Sequence, residues 1–265
     1  GFIITDEHLK EFSKIQSIAN KKKIKILNFS KLNILQNENL KNLKGSFQKK
    51  NLSMSILAAN LCGLSNKNIK PIIKKIKNVN GRLELVRVLP NKSKVFIDFA
   101  HTPNALETVL ETLKIEYRND ITLVFGCGGE RDKKKRPLMA KIAKKYCKKI
   151  YITDDNPRNE NPKKIRNELK KIVKGKNTFE IGDRSKAIQE ALKNSKPYEI
   201  IIIAGKGHEK FQDYGNKILK TSDKQSVLNV KIINKYFNKY EYNLEYNSNI
   251  LNKILNLKNK NKFYG

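Results

Sequence analysis

Between about residues 84 and 235, short apolar runs rich in β-branched residues alternate with longer amphipathic stretches. The apolar runs are Lys94 to Phe99, Ile121 to Phe125, Lys149 to Thr153, Thr178 to Ile181 and Glu199 to Ala204. The helix-like stretches between them are Asn104 to Lys114, Arg136 to Cys147, Pro162 to Val173 and Ser185 to Asn194. Such alternation is typical of a mostly parallel sheet covered by helices. It predicts an α/β domain whose functional residues lie where strands end and helices begin.

The first 83 residues show a less regular pattern. The predicted elements are strands at Gly1 to Thr5 and Ile24 to Phe29, and helices at Asp6 to Asn20, Asn51 to Cys62 and Asn66 to Ile76. Because this region begins abruptly on a strand, we expect residues 1–83 to be the last portion of a larger domain. Residues 84–238 then form a second domain.

Residues 239–265 are rich in Asn, Lys and Tyr. Ile250, Leu251, Ile254 and Leu255 have the spacing of a helix face. A solvated tail and a docked terminal helix both fit this segment, and we assign it no role.

The net charge of +31 raises the possibility of a nucleic-acid partner, since dense positive charge binds phosphate backbones. Nearly all the excess is lysine scattered over predicted helices and loops, without the interleaved aromatic residues that bind single strands. We interpret the charge as compositional and expect no specific nucleic-acid partner. A basic nucleic-acid-binding module is kept as an alternative from another class.

Three features bear on location and cofactors. No apolar stretch approaches the roughly 18 residues of a membrane span, and the amino terminus lacks the order of a signal peptide. Cys62, Cys127 and Cys147 are too widely spaced to predict a disulfide framework or a thiolate zinc site. We expect a cytoplasmic monomer that has no membrane partner.

Three loops that follow predicted strands carry polar groups suited to ligand binding. The loop at Gly126 to Asp132 combines glycines with Arg131, whose guanidinium can pair with a carboxylate in bidentate fashion. The second, Asp154 to Arg158, presents Asn156 and Arg158 around a proline, and the third, Gly205 to Glu209, offers backbone carbonyls and a carboxylate. Each loop alone fits an ordinary turn or helix cap. Their recurrence at successive strand ends favours one shared crevice for a zwitterion.

Asp98 and His101 follow the domain's first clear strand. A carboxylate there can hold ribose hydroxyls and a histidine can meet phosphate, whereas capping of the next helix explains both residues equally well. His8, His101 and His208 make no recognised ligand spacing, so we expect no metal site in this chain.

Together these motifs resemble the Mur ligases, and within that family the members that add meso-diaminopimelate. The resemblance covers most of the chain and keeps the family's order and spacing. Upstream segments at Gly45 to Asn51 and Gly81 to Glu84 look like the end of the family's central ATPase domain. The matching segments are Asp98-Phe-Ala-His-Thr-Pro, Gly126-Cys-Gly-Gly-Glu-Arg-Asp, Lys135-Arg-Pro, Asp154-Asp-Asn-Pro-Arg, Asp183-Arg and Gly205-Lys-Gly-His-Glu.

The resemblance implies a fold and a set of roles. The carboxy-terminal domain would be Rossmann-like with a mostly parallel sheet, preceded by the end of the α/β ATPase domain. Asn51 would lie near adenine, Arg82 near the ATP phosphates and Asp98 on the ribose, with His101 close by in an open role. The meso-diaminopimelate pocket would comprise Arg131, Asn156, Arg158, Gly205 and Glu209.

The implied reaction is ATP-dependent addition of meso-diaminopimelate to UDP-MurNAc-L-Ala-D-Glu in peptidoglycan precursor synthesis. It would use ATP with Mg²⁺ and an acyl-phosphate intermediate. Diaminopimelate differs from lysine by a distal carboxylate, and Arg158 and Glu209 carry the charges that its distal carboxylate and ammonium need. The Asp-Asn-Pro-Arg form therefore argues against a lysine-adding enzyme.

The sequence contains no Gly-x-x-x-x-Gly-Lys-Ser/Thr P-loop and none of the central-domain acids that would hold magnesium. We expect the chain to be a fragment that is inactive alone. The alternatives are a lysine-adding or folate-polyglutamating relative and a noncatalytic remnant that only binds partners.

Overall fold

The computed structural model of this protein describes residues 1–29, 35, 43 and 45–231. The tail from residue 239, with the helix-like spacing of Ile250 to Leu255, lies outside the described residues. Within the described part of the chain, no helix is both long and apolar enough to cross a membrane.

The amino-terminal region pairs two short strands and packs helices beside them. Its elements are β1 (Phe2–Thr5), α1 (Phe12–Lys21), β2 (Lys25–Asn28), α2 (Ser46–Leu61) and α3 (Asn66–Ile73). β1 and β2 pair in parallel. Helix α1 begins later than the predicted Asp6, because the Asp6 carboxylate accepts the amide of His8 at 3.1 Å and closes a turn there.

The second region holds a sheet with helices on both faces. Its elements are β3 (Glu84–Val88), β4 (Lys94–Asp98), α4 (Pro103–Tyr117), β5 (Ile121–Phe125), α5 (Lys135–Tyr146), β6 (Lys149–Ile152), α6 (Pro162–Lys170), β7 (Thr178–Glu180), α7 (Arg184–Lys193), β8 (Ile200–Ala204), β9 (Phe211–Asp213), β10 (Ile218–Lys220) and α8 (Asp223–Leu228). The strand order in the large sheet is β3-β4-β8-β5-β6-β7. β3 runs antiparallel to β4, and the other pairs are parallel. The predicted mostly parallel α/β fold is therefore confirmed.

Side chains at alternate positions along the strands pack into two apolar cores. Phe96 faces α4, α5 and α6, whereas its neighbours Val95 and Ile97 face α7 and α8. Strands β5 and β8 are buried along their whole length, as expected for central strands covered on both sides. Burial on both faces explains why β-branched runs marked these strands in the sequence.

Side-chain caps set where the helices begin. Thr102 accepts the amide of Ala105 before α4, and Asn161 accepts that of Lys163 before α6. Pro103 and Pro162 then open their helices, where a missing N–H costs nothing. The caps fix the short connections between strand ends and helices, which is where the polar motifs lie.

Four elements were not predicted. β3 is an edge strand with a register shift between Leu85 and Arg87, and its side chains are mostly half-buried or exposed. The hairpin of β9 and β10 and the short helix α8 contain few residues each. Elements this short carry too few apolar positions to establish a period.

Candidate functional site

The carboxyl ends of β4, β8, β5 and β6 open into a cleft of about 570 Å³. Loops that follow neighbouring parallel strands meet at one edge of the sheet, which explains why residues far apart in sequence share this cleft. The residues assigned from sequence to amino-acid recognition all line it: Arg131, Asn156, Arg158, Gly205 and Glu209.

The glycine loop after β5 lies directly against the loop after β6. The Gly129 amide donates to the Asn156 carbonyl at 2.9 Å. A Cβ on Gly129 would overlap the Pro157 carbonyl oxygen, and one on Gly126 would overlap that of Thr153. These glycines therefore permit the close approach that brings Arg131 and Arg158 to one cleft.

Arg136 supports this contact from beneath, and sequence reasoning gave it no role. Its buried guanidinium donates to Glu160 at 3.0 Å, to Glu168 at 3.1 Å and to the Gly128 carbonyl at 3.2 Å. Burial alone would lower the pKa of Arg136, but hydrogen bonds to both carboxylates outweigh burial and raise it. The sequence signal that could have identified Arg136 is its place in the Lys135-Arg-Pro segment.

Arg158 is held at the wall of the cleft by backbone groups. Its φ of +51° is left-handed, and its amide donates to the Asp213 carbonyl at 3.0 Å. One guanidinium nitrogen donates to the Gly129 carbonyl at 2.8 Å, while Nε lies 3.8 Å from the Asp213 carboxylate. The other terminal nitrogen has no hydrogen-bond partner among the described residues, so it is available to a ligand carboxylate.

Asn156 and Glu209 are joined through a buried lysine. Asn156 Nδ2 donates to Glu209 Oε2 at 3.1 Å, and Lys206 Nζ donates to the same oxygen at 2.7 Å. Burial would raise the pKa of Glu209, but these two hydrogen bonds and the Lys206 charge outweigh it and lower the pKa. Glu209 is therefore a carboxylate at neutral pH. Lys206 stands within the Gly205-Lys-Gly-His-Glu segment but was not predicted as a site residue.

Asp155 is a second carboxylate of the cleft that sequence reasoning left without a role. Its side chain is buried, and Oδ1 accepts the amide of Asn156 at 2.8 Å. Gly205 has a φ of +113°, and a Cβ there would lie 2.6 Å from Asp155 Oδ2. Gly205 thus leaves room for this oxygen, which has no hydrogen-bond partner in the described ranges.

The residues assigned to ATP do not line this cleft. Asp98 is buried, and its two oxygens accept the amides of Leu83 at 2.6 Å and Ala100 at 2.7 Å. Burial raises the pKa of Asp98 against the opposing effects of these hydrogen bonds and of the Arg82 charge. The Arg82 guanidinium stacks 4.6 Å from the Phe99 ring, and Asn51 lies exposed on α2. Asp98 therefore has structural partners whether or not it also meets a nucleotide.

His101 lies exposed at the mouth of the cleft. Its Nδ1 is 2.8 Å from the Phe99 carbonyl, and its ring meets the Phe99 ring edge-on with centroids 4.7 Å apart. Lys135 donates to the His101 carbonyl at 2.8 Å. The histidine is thus oriented by its neighbours, with Lys135 adding positive charge to the same rim.

The arrangement suits a ligand with both carboxylate and ammonium groups. Arg131 and Arg158 supply guanidinium donors, while Asp155 and Glu209 supply acceptors within one cleft. The cleft therefore has the chemistry of a zwitterion site.

Among residues 1–29, 35, 43 and 45–231, no group of three or more His, Cys, Asp or Glu side chains is placed to hold a metal ion.

Comparison with known families identifies the domain that carries this cleft. The family described as "Mur ligase, glutamate ligase domain" matches residues 81–207. A protein of Buchnera aphidicola subsp. Acyrthosiphon pisum, named UDP-N-acetylmuramoyl-L-alanyl-D-glutamate–2,6-diaminopimelate ligase, is 43% identical over 189 residues. That match covers 71% of this chain and 38% of the relative.

Two further comparisons agree. A ligase of the same name from Rickettsia conorii is 42% identical over 185 residues, covering 69% of this chain and 38% of the relative. The solved structure of a ligase with that name superposes with a TM-score of 0.54 at 28% identity, covering 86% of this chain and 52% of that one. The chain thus spans 38% of the length of these curated relatives.

Proposed function

We propose that this chain, which belongs to the Mur ligase family through its domain at residues 81–207, selects meso-diaminopimelate for an ATP-dependent ligase. The ligase would join that amino acid to UDP-MurNAc-L-Ala-D-Glu during peptidoglycan precursor synthesis in the cytoplasm. The relatives from Buchnera and Rickettsia, which are named as ligases of this kind, support this assignment.

The observation that carries the proposal is the meeting of Arg158, Asn156 and Glu209 on one cleft. The distal carbon of meso-diaminopimelate bears a carboxylate and an ammonium, which complement Arg158 and Glu209 respectively. Asp155 adds a second acceptor for an ammonium. L-lysine lacks the distal carboxylate, so one charge-assisted hydrogen bond worth about 1.5 to 3 kcal/mol would be lost. That loss corresponds to roughly tenfold to over a hundredfold discrimination.

The cleft also disfavours a folate-polyglutamating reading. L-glutamate has no distal ammonium, so its second carboxylate would pair with Arg158 but would leave Asp155 and Glu209 without a cationic partner beside a like charge. Two carboxylates held close together repel one another unless a proton or cation intervenes. We therefore place the diaminopimelate-adding reaction ahead of this relative.

In the proposed reaction, a side-chain carboxylate oxygen of D-glutamate attacks the γ-phosphorus of ATP, and the bond to the β-phosphate oxygen breaks to release ADP. The free amine of diaminopimelate then attacks the acyl carbon and loses a proton as the amide bond forms, and the acyl–oxygen bond breaks so that inorganic phosphate leaves with the electron pair. Positioning and charge neutralisation drive most of such a transfer. Binding by Arg158, Asn156 and Glu209 at the distal end would leave the reacting amine at the other end of the amino acid.

The nucleotide would be handled by residues beside the cleft. We propose that Asn51 lies near adenine, Arg82 near the phosphates and Asp98 near the ribose, with His101 at the rim between nucleotide and amino acid. Mg²⁺ would arrive with ATP as part of that substrate.

Isothermal titration calorimetry of the purified chain tests the proposal. We expect meso-diaminopimelate to bind at least about tenfold more tightly than L-lysine, with L-glutamate weakest. Arg158→Ala should abolish the preference for meso-diaminopimelate, whereas Lys210→Ala on the exposed part of the neighbouring loop should retain it. Equal affinities for meso-diaminopimelate and lysine in the unmodified chain would contradict the proposal. The same comparison in a ligation assay of the full-length gene product extends the test to turnover.

A further inference from the structure

The side chain of Lys206 lies at the back of the cleft with no solvent exposure. We infer that Lys206 is a positioning residue, whose ammonium fixes the Asn156 amide and one Glu209 oxygen so that their remaining groups face the ligand. The inference rests on the proposed function for the identity of that ligand. The arrangement of the three side chains is independent of it.

Every donor of the Lys206 ammonium has an acceptor. Nζ lies 3.0 Å from Asn156 Oδ1, 2.7 Å from Glu209 Oε2 and 2.6 Å from the Phe211 carbonyl oxygen. An ammonium has three N–H groups and no acceptor, so its hydrogen bonding is complete without a ligand. Lys206 is therefore unlike a lysine that reaches into a cleft to contact substrate.

The same contacts determine which way the Asn156 amide points. Oδ1 receives hydrogen bonds from Lys206 Nζ and from the Asp213 amide, each at 3.0 Å. Rotating the amide by half a turn would place an NH₂ group against two donors, which is unfavourable. Nδ2 must then face Glu209 Oε2, where it lies at 3.1 Å. One Nδ2 hydrogen is used in this bond and the second remains for a ligand acceptor.

The two carboxylate oxygens of Glu209 also have different surroundings. Oε2 accepts from both Lys206 and Asn156, while Oε1 has no hydrogen-bond partner in the described part of the chain. The pair of donors holds the carboxylate plane and leaves Oε1 for an ammonium. The two unused groups, one donor on Asn156 and one acceptor on Glu209, match the carboxylate and ammonium of a zwitterionic carbon.

This positioning role differs from that of a residue which only joins two loops. Lys206 does join the loop after β6 to the loop after β8, so its loss should lower stability in either case. Only the positioning role predicts that the effect of Lys206 on ligand binding passes through Glu209. A double-mutant cycle separates the two roles, because residues acting as one unit show non-additive effects.

The experiment uses Lys206→Met, Glu209→Gln, the double variant, and Lys210→Met as an exposed control on the same loop. In the absence of ligand, the ¹H–¹⁵N signals of the Asn156 side-chain amide should move in Lys206→Met and stay in place in Lys210→Met. Calorimetry with meso-diaminopimelate should show affinity reduced about tenfold or more by Lys206→Met. In the Glu209→Gln background, the same change should add less than about threefold.

Unmoved Asn156 signals, or an equally large effect of Lys206→Met in the Glu209→Gln background, would overturn the inference. If Lys206→Met does not fold, Lys206→Arg takes its place in the same cycle, because a guanidinium keeps the charge but cannot meet the three acceptors with the geometry of an ammonium. A loss of affinity that is much smaller in the Glu209→Gln background supports the role, and an equal loss in both backgrounds overturns it. Failure of the wild-type chain to bind meso-diaminopimelate, with the Asn156 signals moving as expected, rejects the proposed function and retains the positioning by Lys206.

Discussion

The absence of a Cβ at Gly205 has two effects: it permits an unusual backbone conformation and it leaves space for the Asp155 carboxylate in the cleft. The Gly205 φ of +113° is one that residues with a Cβ rarely adopt, and a Cβ would lie 2.6 Å from Asp155 Oδ2. We expect Gly205→Ala to displace the Asp155 carboxylate and to weaken meso-diaminopimelate binding by about tenfold, besides a backbone strain of about 1 to 3 kcal/mol. Calorimetry and urea unfolding measure the two effects.

Gly63→Ala is the matched control for this substitution. Gly63 has a φ of +92°, and a Cβ there would meet nothing within 4 Å. It should lose stability through strain alone and keep its affinity for the amino acid. Equal affinities of Gly205→Ala and Gly63→Ala would show that the space beside Asp155 is irrelevant to binding.

The cysteines should differ sharply in reactivity. Burial raises the pKa of Cys127 to about 12, and the Asp155 charge acts in the same direction. Because the thiolate is the reactive form, Cys127 stays protonated and inert until the pH approaches that value. At pH 8, iodoacetamide should modify the exposed Cys62 while Cys127 remains unmodified, as measured by peptide mass spectrometry. Modification of both in urea is the control, and comparable rates in the folded chain would refute the expectation.

The site residues that sequence analysis identified are those whose chemistry is visible in a single loop. Arg158 and Glu209 carry charges after predicted strands, so their convergence followed from the parallel sheet. Asp155, Lys206 and Arg136 were missed because their roles depend on burial and on partners from other loops. A lysine in a glycine-rich loop usually faces solvent, and its sequence neighbours do not reveal the three acceptors that enclose it.

Among the elements, α7 and α8 are joined by a buried ion pair. Arg184 Nε lies 2.7 Å from Asp223 Oδ1, and a terminal nitrogen lies 2.8 Å from Oδ2. The same guanidinium donates to the Ala204 carbonyl at the end of β8 at 2.9 Å. Burial would lower the pKa of Arg184, but the adjacent Asp223 carboxylate outweighs it and raises the pKa. The pair therefore anchors α8 to the edge of the sheet that bears the cleft.

Breaking this pair should be costly. Asp223→Ala leaves the Arg184 guanidinium buried without its counter-charge, and we expect a loss of about 3 to 5 kcal/mol in the free energy of unfolding. Lys224→Ala removes the neighbouring surface pair with Glu84, where the lysine is 49% exposed, and should cost less than about 1 kcal/mol. Urea unfolding at pH 7 measures both. Similar losses in the two variants would contradict a special role for the buried pair.

Strands that are covered on both faces were predicted more accurately from the sequence than the exposed edge strand. β4, β5, β6 and β8 lie within two residues of their predicted bounds, because strands covered on both faces need apolar side chains at nearly every position. β3 is paired on one side and half-exposed, and its apolar residues Leu85, Val86 and Val88 do not alternate regularly across the register shift between Leu85 and Arg87. Its strand conformation depends on pairing with β4, and that pairing is not visible in the sequence of β3 itself.

At the scale of the whole molecule, the proposed amino-acid cleft stands without a phosphate-binding loop of the usual kind. No Gly-x-x-x-x-Gly-Lys-Ser/Thr segment occurs among these 265 residues. We expect the purified chain to release no phosphate from ATP above the buffer rate, while it still binds meso-diaminopimelate. A phosphate-release assay with a P-loop ATPase as positive control measures this, and sustained turnover by the chain would refute it.

The place of β8 in the sheet determines when the domain can fold during synthesis. β8 lies between β4 and β5, although both are translated long before it. Until residues 200–204 leave the ribosome, Lys94 lacks its partner Ile200, and the facing edges of β4 and β5 stay open. Open apolar edges can pair with other chains. The nascent chain therefore exposes these edges until its last central strand emerges, and we expect a message truncated before that point to yield an aggregating product.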